Sequence, residues 1–336
     1  MPDRNINIGI ICGGPSPEAN VSRLAAGRLA PAIEKNYGNV VLLELDHQLP
    51  VNLEKHKIDA VFPAAYGFMG EDGCLQGLLN ILGIPYIGSD VSGSACSLNK
   101  VVAKRIVAAA GVSLARDRVA TRGEPIEALT EECIANLGNQ VIIKPVSAGS
   151  GIGVQFAEGK AELRDCLQEG FDKDDCLLIE EFVTGREITA GVLDTGTPEV
   201  LPVIEITTPD NAWYDYEHRY NPGMSHHIIP ALLPEQQYQQ VQEIALKAHQ
   251  LLGCRDISRS DFIVPECGEP VFCELNNLPG MTPTSLFPDA AKYAGIPFEA
   301  LVCRLIDHAL RRSEQQKQSQ NHKKYWAIPE LAIEPE

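Results

Sequence analysis

The stretch Asp261-Phe-Ile-Val-Pro-Glu-Cys-Gly-Glu-Pro-Val-Phe-Cys-Glu274-Leu-Asn276-Asn-Leu-Pro-Gly280 decides how this chain is read. Ile257 to Val264 and Val271 to Leu275 are apolar runs rich in β-branched residues. Pro265 to Pro270 between them has turn composition, so the segment predicts a β-hairpin. With the turn centred on Cys267-Gly268, Asp261 falls opposite Glu274 and Arg259 opposite Asn276. Side chains alternate faces along a strand, which puts Arg259, Asp261, Glu274 and Asn276 on one face. Two carboxylates and an amide oxygen form a hard, oxygen-only set, suited to Mg2+ or Mn2+ rather than zinc, with coordination positions left for phosphate oxygens. The plainer alternative is a solvent-facing hairpin whose polar residues alternate with a core. A bulge would also slip the register by one residue and scatter the set.

With 336 residues, 44% hydrophobic and 22% charged, the chain is globular and long enough for two or three domains. A net charge of -17 argues against binding a phosphate backbone, so nucleic acid is excluded as a main partner. No run approaches the roughly 18 apolar residues that a membrane helix needs. Met1-Pro-Asp-Arg-Asn5 leads directly into a strand-like segment, without the apolar stretch of a signal peptide. The ten cysteines form no Cys-x-x-Cys pair, which fits reduced core thiols in a cytoplasmic protein.

Strand-like and helix-like runs alternate through the first hundred residues, predicting βαβ units around a parallel sheet. Ile6 to Cys12 is the first strand, and Ser16 followed by Pro17 reads as the N-cap and first position of a helix carrying Val21, Leu24, Leu29 and Ile33. Val40 to Leu45 and Ala60 to Ala65 supply further strands, and Gly67 to Gly73 forms a glycine-rich loop before a helix bearing Leu75, Leu78, Leu79 and Leu82. The pattern divides the chain into 1–98, a smaller central unit 99–185, a third unit 186–312 holding the hairpin, and a Gln-, Lys- and Glu-rich stretch over 313–336 that reads as a loose, flexible tail.

Two further stretches carry chemistry. Lys144-Pro-Val-Ser-Ala-Gly-Ser-Gly-Ile-Gly153 sets a lysine at a strand end before three glycines, whose backbone N–H groups can converge on phosphate oxygens. It lacks the Gly-Lys-Ser/Thr order of a P-loop. Ile179-Glu-Glu-Phe-Val-Thr-Gly-Arg-Glu187 is a strand leading into a loop, able to offer backbone groups at Glu181 and Val183 to adenine and a carboxylate to ribose hydroxyls. A surface hairpin with solvated Glu residues is the plain reading of that stretch. Gly13-Gly14 fails the Gly-x-Gly-x-x-Gly spacing, which demotes a Rossmann oxidoreductase.

These pieces, in this order, resemble the D-alanine–D-alanine ligase family of ATP-grasp enzymes, from roughly Ile6 to Ala309. The resemblance rests on Gly13-Gly-Pro-Ser-Pro-Glu18-Ala-Asn-Val-Ser22, Gly70-Glu-Asp-Gly-Cys-Leu-Gln-Gly77, Lys144-Pro145, Tyr214-Asp-Tyr-Glu-His-Arg-Tyr220, Arg259-Ser-Asp261, and Glu274-x-Asn276-x-x-Pro-Gly280-Met-Thr-x-x-Ser285-Leu286. It implies an α/β chain with an ATP-grasp fold, in which an N-terminal parallel α/β domain and central and C-terminal α+β domains enclose the ATP site. It also implies a homodimer acting on small amino-acid and acid substrates. A carboxylate would attack the γ-phosphate of ATP, and an amine would then displace phosphate from the acyl phosphate.

Carried over by motif, Lys100, Lys144 and Arg219 would hold phosphates, and Glu180 and Glu187 would sit at the nucleoside with Glu181 and Val183 beside the base. Asp261, Glu274 and Asn276 would bind two Mg2+ ions. Glu18 would take the first ammonium group, hydrogen-bonded with Ser150 and Tyr220. Tyr66 would line the substrate site. Arg259 and the Gly280 N–H would stabilise an oxyanion, and Ser285 with Leu286 would receive the second amino acid.

Several positions depart from the family pattern. Tyr66 stands where a histidine is usual, Ala148 and Gly151 where an acid and a serine are usual, Arg219 for a lysine and Asn277 for a threonine. A phenol cannot simply replace an imidazole that polarises or protonates near substrate. Two other readings therefore stand beside the main one. One is a ligase of specialised metabolism that attaches an amino acid to another acid or vinylogous acid, as in mycosporine-like amino acids. The other is an inactive nucleotide-binding protein.

Overall fold

Alternating apolar strands and amphipathic helices build the first sheet of the computed structural model, which describes residues 6–209, 216–221 and 223–322, without the side chains at 216, 217 and 319–322. β1 (Ile6–Cys12), α1 (Ala19–Tyr37), β2 (Gly38–Glu44), α2 (Leu49–Lys55) and β3 (Ala60–Pro63) wind into a parallel sheet of order β2-β1-β3. α1 starts later than its Ser16-Pro17 signal suggests. The Ser16 hydroxyl accepts the Glu18 N–H at 3.2 Å, and its carbonyl accepts the Ala19 N–H at 3.0 Å. The capping chemistry is thus used in a turn ahead of the helix, and that turn leaves Glu18 buried at the C-terminal edge of the sheet. α3 (Cys74–Leu82) follows the glycine-rich loop, and α4 (Val91–Leu98) is capped by Asp90, which accepts the Gly93 N–H at 3.0 Å.

α5 (Lys100–Ala109) starts at Asn99, whose side chain accepts the Val102 N–H at 3.0 Å. The sequence pattern groups this helix with the central unit. Its buried face, Ala103 and Val107, joins instead a core with Ile188, Phe262 and Phe272 of the last sheet. The central sheet itself begins with β4 (Asp117–Thr121) and continues through α6 (Ile126–Leu137), β5 (Gln140–Pro145), β6 (Gln155–Glu158), α7 (Gly159–Lys173) and β7 (Cys176–Glu181). Its order is β4-β7-β5-β6, all antiparallel, with Leu129, Cys133, Leu163 and Leu167 of the two helices covering one face.

The third sheet comprises β8 (Arg186–Asp194), β9 (Pro198–Val200), β10 (Ile204–Thr207), then after α8 (Tyr216–Tyr220) β11 (His226–Ile228), and after α9 (Glu235–Leu251) the hairpin β12 (Asp256–Val264) and β13 (Val271–Asn276). It runs β11-β10-β8-β12-β13, with β9 on β8. The hairpin register is the one its sequence predicts, Arg259 opposite Asn276 and Asp261 opposite Glu274. A bulge is present as well. Phe262 pairs with Phe272, leaving Cys273 as an extra residue. Because it lies on the turn side of the Asp261–Glu274 pair, the polar set stays on one face.

α10 (Leu286–Tyr293) and α11 (Phe298–His322) return the chain to the first sheet. The Tyr37 hydroxyl donates to Asp307 at 2.7 Å, and Leu301, Leu305 and Ile306 share a core with Ile8, Ile10 and Phe62. α11 runs ten residues beyond Arg312, where composition suggested a loose tail. Ser313 to His322 contains neither Gly nor Pro and consists mainly of fair helix formers. Residues 323–336, and Tyr214 and Asp215 of the tyrosine motif, lie outside the described residues. The cysteines are not all core residues either. Cys12, Cys133 and Cys254 are buried, while Cys74 and Cys267 are exposed. Among the described residues, no helix is long and apolar enough to cross a membrane.

Candidate active site

Three distant pieces of chain meet at Glu18. The Ser150 hydroxyl donates to Glu18 Oε1 and lies 2.7 Å from the Tyr220 hydroxyl, joining the end of the first sheet, the β5–β6 loop and α8. Ser150 adopts a left-handed backbone, φ 52°, a conformation that costs a non-glycine residue about 1 kcal/mol or more and fits a residue whose side chain must be aimed. Gly67 closes the other side. A Cβ there would stand 2.6 Å from Ser16 Oγ and 2.8 Å from Glu18 Oε2. Burial raises the pKa of Glu18, opposed in part by Ser150, Lys100 and Arg219. Glu71, which sequence reasoning did not assign a role, lies in the same wall. Its carboxylate accepts the Gly67 N–H, and burial followed by the charge of Glu18 pushes its pKa well up. Ser22, from the first matching motif, is not at the site. It accepts the Gly13 N–H at 2.7 Å and donates to Ala64 O at 2.6 Å, tying the loop to the end of β3.

The hairpin face lies opposite. Arg259 is buried and grips Asp261 with two hydrogen bonds of 2.9 and 2.8 Å, while Thr189 donates to the same carboxylate at 2.6 Å. Thr189 was not legible as a site residue, since it reaches Asp261 only through the β8–β12 pairing. Burial works against ionisation of Glu274. The fields of Lys100, Arg219, Lys144 and Arg259 outweigh it, and its pKa falls to about 2. Asn276 accepts the Leu278 N–H at 3.0 Å. Among the described residues no three of His, Cys, Asp and Glu gather in metal-binding geometry. The hairpin offers two carboxylates and an amide, an all-oxygen donor set that fits a hard divalent ion when phosphate and water complete the shell.

The Tyr66 hydroxyl accepts the Met281 N–H at 3.1 Å, and burial drives its pKa upward. Burial thus favours the neutral phenol, and its hydrogen bond ties β3's end to the loop before α10. A Cβ at Gly280 would stand 2.8 Å from Ser285 Oγ, which itself accepts the Thr282 N–H at 2.9 Å just before Leu286 opens α10.

Between the central and third sheets runs a cleft of about 390 Å³ walled by Ile142, Phe182, Val183, Phe262 and Phe272. Glu187 faces into it. Burial, with Asp261 and Glu274 adding to it against Arg219 and Arg259, raises its pKa to about 7. Glu180 is buried between Lys104 and Lys144, the latter at 2.6 Å. Glu181 lines the cleft and pairs its carboxylate with Arg116 at 2.6 Å. A second, smaller pocket holds Glu18, Tyr66, Ser150, Tyr220, Arg259, Asn276, Gly280 and Ser285, and it shares Arg219 and Glu274 with the cleft. An apolar slot for a flat ring thus opens, through a cluster of cations and carboxylates, into a polar pocket fit for a small zwitterion.

Two family models match, one described as D-ala D-ala ligase N-terminus over residues 44–89 and one as D-ala D-ala ligase C-terminus over residues 106–307. The D-alanine–D-alanine ligase of Desulforamulus reducens is 40% identical over 312 residues, covering 91% of this chain and 99% of its own. The chain belongs to the D-alanine–D-alanine ligase family. The ligase of Halalkalibacterium halodurans is also 40% identical, covering 91% of this chain and all of its own. The solved D-alanine–D-alanine ligase of Bacillus anthracis complexed with ATP superposes with a TM-score of 0.80 at 30% identity, over 93% of this chain and 99% of that one. The VanG D-Ala:D-Ser ligase of Enterococcus faecalis gives 0.77 at 29% identity, over 91% and 99%. Membership in this family makes the protein an ATP-dependent ligase forming carbon–nitrogen bonds on an ATP-grasp fold. It does not favour the specialised-metabolism or inactive readings.

Proposed function

We propose that this ligase joins two D-alanine molecules in the cytoplasm at the expense of ATP. The observation that carries the reading is the shared boundary of the two pockets, where Arg219 and Glu274 belong to both the apolar cleft and the small polar pocket. A phosphoryl group held at that boundary by Lys100, Lys144 and Arg219 would lie beside a carboxylate whose ammonium is held by Glu18. The carboxylate attacks the γ-phosphorus and ADP leaves. The amine of the second amino acid, its carboxylate at Ser285 and its side chain against Leu286, attacks the acyl carbon and phosphate leaves. Arg259 and the Gly280 N–H take the developing oxyanion, a task for preorganised donors in a dry site. Ser150 and Tyr220 hold Glu18 and close the loop over the pocket. Glu187 serves the ribose, and the backbone of Glu181 and Val183 serves the adenine.

Asp261, Glu274 and Asn276 would hold Mg2+, and Mn2+ would suit the same donors. Two such ions, when bound, supply charge neutralisation on the transferring phosphoryl group. The reading carries with it a lid made of the central sheet and its two helices, with α5 left on the third sheet against which Ala103 and Val107 pack, and a homodimeric assembly. The experiment is ADP release from purified protein with ATP and Mg2+, offered D-alanine alone and then panels of other amino acids and acids. Release with D-alanine alone supports the proposal, and release only with another pair overturns it.

A further inference from the structure

α5 carries two lysines one turn apart, and they contact different carboxylates, Glu274 and Glu180. Lys100 Nζ donates to Ala148 O and lies 3.6 Å from Glu274. Lys104, four residues on, lies on the same helix face and reaches Glu180 Oε1. Lys104 is 1% exposed and does not line the cleft, whereas Glu180 and Lys144 do. One buried carboxylate therefore has two ammonium partners, Lys104 from behind and Lys144, at 2.6 Å on Oε2, from the cleft side. Burial and then Lys144 lower the pKa of Lys104 to about 8, which leaves it mostly protonated at neutral pH.

We infer that Lys104 is a positioning residue that makes Glu180 the acceptor reading the base of the nucleotide. This rests on the function proposed above. An ammonium cannot fully serve a carboxylate and a phosphate at once. As Lys144 is drawn to phosphate, Glu180 would be left as an unpaired buried carboxylate if Lys104 were absent, a costly state that protonation would relieve. With Lys104 in place, the departure of Lys144 leaves a neutral pair whose Oε2 faces the cleft. A carboxylate oxygen there accepts from the exocyclic amine of adenine and repels the carbonyl oxygen that hypoxanthine carries at the same position. Selectivity between the two purines would thus depend on a lysine that touches neither.

The test compares ATP with inosine triphosphate, by steady-state ADP or IDP release and by nucleotide binding without amino acids. Wild-type ADP release with ATP is the control, and its absence would overturn the proposed function and not this inference. In Lys104→Met, kcat/KM for ATP should fall about tenfold or more, mainly through KM, while that for inosine triphosphate changes less than about threefold. Equal losses for both nucleotides, or no loss for either, would overturn the inference. Should Lys104→Met fail to fold, Lys104→Met/Glu180→Gln removes both charges and should fold, with the preference for ATP compressed to a similar degree. A wild-type preference in that double variant would overturn the inference as well.

Discussion

Glu274 is part-exposed at the cleft and keeps its charge because the fields of Lys100, Arg219, Lys144 and Arg259 outweigh the cost of its desolvation. Replacing it with the near-isosteric glutamine keeps the shape and removes the charge. Glu274→Gln should therefore lower kcat by about a hundredfold or more while the thermal midpoint shifts by only a few degrees. Near wild-type turnover would remove Glu274 from the metal set. Tyr66 tests a different claim. Tyr66→Phe strands the buried Met281 N–H, costing about 1–3 kcal/mol of stability. Its pH–rate profile should keep the wild-type shape between about pH 7 and 9, because a phenol with a pKa raised by burial does not titrate there. A moved alkaline limb would mean that the hydroxyl exchanges a proton in the reaction.

At this scale the motif residues were legible from sequence, and Glu18, Ser150, Tyr220, Arg259 and Glu274 do converge. Lys104 and Thr189 were not, since only tertiary packing turns one helix lysine inward and aligns one strand threonine with Asp261. The i, i+4 spacing of Lys104 from Lys100 was the one available signal.

Elements were read best where periodicity and turn chemistry agreed. β1 and the two hairpin strands fall within a residue or so of their sequence limits. The start of α1 was misread because a serine and a proline suit a turn as well as a cap. The grouping of α5 was misread because a helix pattern reveals an apolar face and not the sheet that will cover it. The loop after β3 offers a clean experiment. Gly67 and Gly83 both have left-handed backbones, φ 75° and 68°, but a Cβ on Gly67 would press on Ser16 and Glu18, while one on Gly83 would meet nothing within 4 Å. Each alanine variant should lose about 1 kcal/mol or more of stability from backbone strain. Only Gly67→Ala should also lose more than about tenfold in kcat/KM, since it displaces Glu18, the carboxylate proposed to hold the ammonium. Equal activity in the two would detach the loop from the site.

For the whole molecule, the last helix is the tie. Asp256 is fully buried on β12 and is held by Arg312 at 2.5 Å, by His308 at 2.8 Å and by the Gly88 N–H at 2.7 Å. Arg312 also donates to Tyr86 O at 2.8 Å, so three parts of the chain are locked together. Burial opposes ionisation of Asp256, yet His308, Arg312 and Gly88 bring its pKa below the ordinary value. A carboxylate with a lowered folded pKa contributes its full stability above its unfolded value, and that contribution is lost as pH falls through the folded value. Asp256→Asn should cost about 3–5 kcal/mol at pH 7, and denaturant midpoints should show the gap to wild type holding down to about pH 5 and closing below about pH 4. A gap that widened in acid would reverse the assignment. Composition alone could not reveal this closure, because residues 256 and 312 lie on elements whose meeting depends on the entire chain between them.

The extra residue at Cys273 has a practical meaning. It separates the part of the hairpin that bears Asp261 and Glu274 from the part that merely turns, so a change of length among Glu266 to Glu269, all exposed, need not propagate to that pair. The contacts at stake are the two 3.0 Å hydrogen bonds from Gln237 to Pro265 O and Gly268 O. A tag or fluorophore grafted at that tip would report on the enzyme without retuning it, and natural insertions there would be nearly silent.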